Sequence, residues 1–167
     1  DMKKNGKQIE IVVPLYSRLM AQGAGASNID GVYGSTNWNW TLQDAGSQAF
    51  VKAFEAEYGF PPSQAAQTCY VQTLLYANAC ERAGTFYPPE VIRALEDFEF
   101  TGAGPGKALY RGEDHQCFKD ILVVQGKGPD AKQGEYDLLD IVQQVPAEDV
   151  IYPADTFPGE LGPYEPA

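Results

Sequence analysis

The chain has 167 residues, which suits one ordinary domain and allows roughly two-thirds of the unfolded surface to be buried on folding. Acidic residues outnumber basic ones 23 to 12, for a formal net charge of −11. This argues against nucleic acid, which needs clustered Lys and Arg to displace phosphate counterions, and against an anionic membrane surface.

The first eight residues, "DMKKNGKQ", are polar and carry no signal peptide, so the start is expected to be processed or truncated. No apolar run reaches 18 residues, which leaves no transmembrane helix. "IEIVVPLY" (9–16) is a β-branched, apolar run, expected to be a strand of a parallel sheet buried on both faces. Pro14 ends it, because proline cannot donate to a ladder. Tyr16 and Ser17 then fall at the carboxyl end of that strand, where α/β sheets place ligands. "SRLMAQGAGASN" reads as a short helix with a glycine-loosened end, and "DGVYGS" as a second strand.

Both tryptophans follow, Trp38 and Trp40 within "TNWNWT". If the segment is extended, they point the same way. Asp44 is a fitting N-cap for "AGSQAFVKAFEAEY", with Phe50, Phe54 and Tyr58 on one face and Gly59 at the stop. Ser63 opens a longer helix to Ala83, closed by Gly84, whose face of Ala66, Tyr70, Leu74 and Ala77 is expected inward. "YPPEVIRALEDF" is a third helix with prolines in its first turn and a stripe of Val91, Ile92, Leu95 and Phe98. Beyond it lie a glycine-rich turn, two strand-like pieces around "RGEDHQ", and "YDLLDIVQQV" as a late strand or short helix. The last fifteen residues hold four prolines and two glycines and read as an irregular tail. Early alternation of strand and helix makes the class α/β.

Familiar chemical motifs fail on inspection. "GAGPGK" (102–107) lacks the first glycine of a phosphate loop, since Thr101 stands there, and Ala108 replaces the required Ser or Thr. "NWT" at Asn39 fits a glycosylation sequon, which matters only in a eukaryotic secretory protein. No G-x-S-x-G elbow exists, and adjacent Asp114 and His115 would point to opposite faces of a strand. Cys69, Cys80 and Cys117 with one histidine do not make a zinc site. Cys69 and Cys80, eleven residues apart on one helix, are too far apart to bridge. A single bridge to Cys117 and three packed thiols both remain open, the thiols being favoured. Without a catalytic constellation, neither an enzyme nor a cofactor is expected.

The ordered set of Phe54, Tyr58, Tyr70, Leu74, Ala79, Ala83, Gly84, Val91, Leu95, Phe100, Gly102, Gly106, Tyr110, Asp114, His115, Gln116 and Gly126 resembles the C-terminal half of type I periplasmic solute-binding proteins of bacterial ABC importers, in the leucine/isoleucine/valine-binding branch. The likeness runs over residues 8–128. It implies a fold of two Rossmann-like α/β lobes with hinge crossovers, of which this chain is about half. On that pattern residues 1–37 belong to the second lobe, 38–116 hold a crossover and the helices of the first lobe, 117–152 hold hinge strands and a return, and 153–167 form the tail.

The resemblance further implies an extracytoplasmic receptor, periplasmic or lipoprotein-anchored, that binds an amino acid or a small carboxylate or aromatic solute without chemistry. The expected partners are the solute, the missing N-terminal half and a membrane permease; no nucleic acid is expected. Tyr16, Ser17, Trp38, Trp40 and Tyr70 are the expected ligand-binding residues. The matching strand end carries no acid for an α-ammonium group, and Arg18 stands there instead, as a candidate partner for a carboxylate. A sensor domain of the same fold and an α/β enzyme with an unseen site are the alternatives.

Overall fold

A computed structural model of the chain describes residues 9–102, 104–156, 159 and 162. The opening "DMKKNGKQ" and most of the proline-rich tail lie outside the described residues. Within them the chain forms two small sheets and three substantial helices.

The larger sheet has four strands: β1 (Val12–Val13), β2 (Tyr33–Thr36), β6 (Ile121–Gly126) and β7 (Leu139–Val145), in that spatial order. Only β1 and β2 are parallel; β2–β6 and β6–β7 are antiparallel, with Gly34 opposite Val124 and Gln125 opposite Asp140. A register shift between Val123 and Val124 bends the β6–β7 pair. The long, doubly buried first strand expected over 9–16 is thus corrected. It shortens to two residues, and Val12 is 68% exposed because β1 is an edge strand of this sheet among the described residues.

Between β1 and β2 lie α1 (Arg18–Ala24) and α2 (Ala26–Ile29), separated by Gly25 at φ +84°. Two other glycines let the layers close. A Cβ on Gly34 would enter the Tyr16 side chain and the Val13 carbonyl, and one on Gly126 would enter the Ile29 carbonyl. The core over this sheet gathers Tyr16, Ala21, Ile29, Val32, Trp38, Leu42, Val51, Leu122, Val124, Leu138 and Leu139.

Helix α3 (Ala45–Tyr58) starts where the Asp44 carboxylate accepts from the Ser47 amide, and ends at left-handed Gly59. α4 (Gln64–Ala83) starts with Ser63 Oγ accepting from the Ala66 amide and ends at left-handed Gly84. α5 (Pro88–Leu95) carries its prolines in the first turn. The inward face of α4 is Gln67, Leu75, Ala79 and Cys80, packed through its C-terminal half on Val91 of α5. The expected face is corrected by this rotation: Tyr70 is 48% and Leu74 52% exposed. Phe98 is not helical either, since left-handed Asp97 breaks the chain after α5.

The second sheet is an antiparallel meander of β3 (Phe98–Thr101), β4 (Lys107–Tyr110) and β5 (Cys117–Phe118). "RGEDHQ" is the β4–β5 turn, so Asp114 and His115 sit on no strand. A short α6 (Ala147–Val150) follows β7, and a 3-10 turn spans Ala154–Thr156. All three cysteines are free thiols; Cys80 alone is buried.

Candidate functional site

Five stretches distant in sequence, Phe100 of β3 among them, converge on one pocket of about 380 Å³. The exit of β2 brings Asn37, the N-terminal half of α4 brings Gln67 and Gln72, β5 and its exit bring Phe118 and Lys119, and the segment after α6 brings Tyr152. Each stretch arrives for a local reason. β2 stops because the Thr36 hydroxyl turns back to donate to the Trp38 carbonyl, and the Ser63 cap aims the first turns of α4 into the pocket wall.

The lining sets amides and one cation among apolar and aromatic side chains, and it is not acidic. Asn37, Gln67, Gln72 and Gln116 contribute amides, Lys119 is the cation, and no carboxylate lines the pocket among the described residues. Asn37 Oδ1 is buried with no hydrogen-bond partner among those residues. Burial pushes the Lys119 ammonium below its ordinary pKa. Partial desolvation of the Cys117 thiol, whose residue keeps an exposed side, raises it against the pull of Lys119. The Tyr110 hydroxyl, raised by burial, donates to Gln72 Oε1 at 2.7 Å and fixes that amide. Phe100, Phe118 and Tyr152 supply aromatic surface. A cation, several amides and ring faces in a space of this size suit a small oxyanionic solute. Among the described residues no three His, Cys, Asp or Glu side chains cluster to hold a metal ion.

None of Tyr16, Ser17, Trp38, Trp40 and Tyr70 lies along this pocket, and the structure does not bring the five together. Tyr16 does follow β1, but it is 3% exposed and packs in the core over the sheet, its hydroxyl buried without a partner among the described residues and raised in pKa by that burial. Ser17 caps α1, accepting from the Met20 amide at 3.4 Å. Trp38 is 1% exposed; its Nε1 donates to Ser47 Oγ at 2.8 Å, and its ring meets Phe50 edge-on at 5.9 Å. Trp40 is half-buried against the same core. Tyr70 stacks on Phe50 at 4.7 Å and lines a separate, apolar groove of about 620 Å³ between α3 and α4. Arg18 is 4% exposed and turned inward: it donates to the Pro61 carbonyl at 3.0 Å and Gln22 Oε1 at 2.8 Å, lies over the Tyr136 ring, and is lowered in pKa by burial, while its Nε has no partner among the described residues.

Sequence reasoning missed the pocket residues. Four amides on three separate segments carry no local pattern. The one available signal was Gln67, a polar residue four and eight positions before Val71 and Leu75 on the inner stripe of α4.

Solved structures of similar fold are receptors of importers. The chain superimposes on the leucine-, isoleucine-, valine-, threonine- and alanine-binding protein of Brucella ovis in its closed conformation, with TM-score 0.77, 17% identity, 97% of this chain and 43% of that one covered. A branched-chain amino acid ABC transporter periplasmic ligand-binding protein of Burkholderia xenovorans LB400 gives 0.75 at 24% identity, over 88% of this chain and 40% of that one. A solute-binding protein of an ABC transporter from Rhodopseudomonas palustris BisB5, in complex with 3,4-dihydroxybenzoic acid, gives 0.69 at 18%, over 87% and 40%. The chain therefore spans about two-fifths of the length of these structures. No curated protein sequence matches it. The family profile described as periplasmic binding protein matches residues 3–134, which is most of the chain. With its α/β fold and the likeness to type I receptors of ABC importers, the chain belongs to the periplasmic binding protein family.

Proposed function

We propose that the chain is part of the extracytoplasmic solute receptor of an ABC importer, and that the pocket of Asn37, Gln67, Gln72, Phe118, Lys119 and Tyr152 takes a small carboxylate with a planar or aromatic body. The observation that carries this reading is the lining itself, a cation and amides with no carboxylate in a chain of net charge −11. A free α-amino acid would bring an ammonium group with no acid to meet it. The family likeness supports a function of capture and release rather than chemistry. The membrane permease of the importer is the downstream partner.

We further propose that the exposed side of α4 and the open edge of β1 receive the portion of the receptor that corresponds to the rest of the relatives' length. The outward Tyr70, Leu74 and Tyr76, each about half exposed, and the edge position of β1 among the described residues support this.

Calorimetric titration with benzoate, 3,4-dihydroxybenzoate and leucine, using the full receptor, tests the reading. Binding of the aromatic carboxylates, weakened at least about tenfold by Lys119→Met, is the expected result. Leucine binding that ignores Lys119→Met would send the site elsewhere.

A further inference from the structure

Two of the aromatic groups on the pocket wall, Phe118 and Tyr152, meet edge-to-face at 5.3 Å and 73°. They come from unrelated places, one from β5 and one from the segment after α6. That later segment carries local hydrogen bonds, Ile151 donating to Ala147 and Thr156 to Pro153, and is tied to the strand region where the Ala147 amide donates to Asp120 Oδ1 at 2.9 Å.

Behind the pair stands Arg111. Its Cζ lies 4.6 Å from the centre of the Phe118 ring and 5.4 Å from that of Tyr152. Nη1 donates to the Tyr152 carbonyl at 2.6 Å. Nε and Nη2 donate to the two oxygens of Asp114 at 2.9 and 2.5 Å. One guanidinium thus uses its face on two rings and its edges on a carboxylate and a carbonyl. The turn that carries it is itself tied down. The Arg111 amide donates to the Gln116 carbonyl, the Gly112 amide to Asp97 Oδ1, and His115 Nε2 pairs with Glu96 Oε1. The arginine is therefore presented from a fixed base.

We infer that Arg111 is a positioning residue for the solute pocket, holding the Phe118–Tyr152 wall at the spacing that admits a planar solute. The inference rests on the pocket being the solute site. Arg111 touches no solute; it acts through the two rings. A lysine would keep the charge but lose the forked donors and the flat stacking surface.

The test compares benzoate with cyclohexanecarboxylate, which share charge and size and differ in planarity. Calorimetry gives both affinities for the full receptor and for Arg111→Gln and Arg111→Lys, and thermal melting follows stability. The wild type should prefer benzoate, and Arg111→Gln should lower that preference about tenfold while cyclohexanecarboxylate binding changes little. Arg111→Lys should not restore the preference. Should Arg111→Gln fail to fold, Asp114→Asn frees the fork while leaving the arginine in place, and should lower the preference in the same direction by less. Hydrogen exchange over residues 147–156 should quicken in each variant, with the rest of the chain unchanged. An unchanged preference in variants that still bind would overturn the positioning role alone, as would full rescue by lysine. No binding of either compound by the wild type would overturn the solute site and the positioning role with it.

Discussion

Around the four-stranded sheet Trp38, Leu122 and Val124 are at most 1% exposed, while along α4 Tyr70 and Leu74 keep about half their surface open. The first region gathers eleven buried residues from nearly the whole length of the chain; the α4–α5 region buries Ala79, Cys80 and Val91. Both regions have comparable helices with comparable caps. What differs is that the sheet region closes on itself from both sequence ends, whereas α4 has α5 on one side and the open apolar groove on the other. Local helix signals are therefore no guide to how complete a region's packing is. Completeness depends on whether the chain supplies a second layer.

Substitutions can break or sharpen this contrast. Leu122→Ala removes a fully buried side chain from the sheet core and should cost about 3–5 kcal/mol in urea unfolding. Next, Gly126→Ala drives a Cβ into the Ile29 carbonyl, a backbone atom that cannot swing aside, and should cost about 1–3 kcal/mol.

Asp137→Asn strikes the ion pair that ties the loop before β7 to the end of β6. Lys127 Nζ lies 2.8 and 2.9 Å from the two Asp137 oxygens, and both side chains are largely shielded. Loss of one partner should cost about 1–3 kcal/mol. Burial would raise Asp137, but hydrogen bonds from Lys127 and the Gln133 amide outweigh it and hold the carboxyl below its ordinary value. Its contribution is thus present above the ordinary carboxylate range, about 3.9, and is lost as pH falls through the folded value. Burial would lower Lys127, and the hydrogen bonds to Asp137 and Asp140 outweigh that, so it is raised. Its contribution holds below the ordinary lysine range, about 10.4, and fades as pH rises beyond it. Unfolding of Asp137→Asn followed from acid to alkali should lack the acid slope and keep a reduced alkaline one, because Asp140 still lies 2.9 Å from Lys127 Nζ.

Ser63→Ala deletes the α4 cap and should cost about 1 kcal/mol. Smallest of all, Leu74→Ala should shift this chain by no more than about 0.5 kcal/mol. In the full receptor the same change should cost about 2–3 kcal/mol if the rest of the protein covers α4. An equal, small effect in both would leave that face exposed in the receptor too.

The helices were legible because their ends are written in single residues. Asp44, Ser63, Gly59, Gly84 and the prolines of α5 each do one local job, and each is found doing it. The resemblance that pointed to a solute receptor rested on such residues in order along the chain, and the family match bears it out. β1 was misjudged because its apolar character is independent of whether a neighbouring strand lies beyond it. The inner face of α4 was misjudged for a related reason. Its outward stripe is at least as apolar as its inward one, and only the position of α5 selects between them. The pocket was least legible, since Asn37, Gln67, Lys119 and Tyr152 meet only after the strands have been ordered in space.

That strand order has a consequence for the chain as it is made. β2 borders β6 directly, yet α3, α4, α5 and the whole second sheet lie between them in sequence. At ribosomal rates of about 5–20 residues per second, several seconds pass between the synthesis of one strand and of its partner. Through that interval Tyr33–Thr36 lacks its β6 partner, and Ile29 and Val32 wait for Leu122 and Val124 to complete their core. Closure of this sheet is a long-range event, slow relative to the helices that form while it waits. A chaperone that masks residues 29–40 during synthesis should therefore raise the yield of folded chain more than one that masks α4.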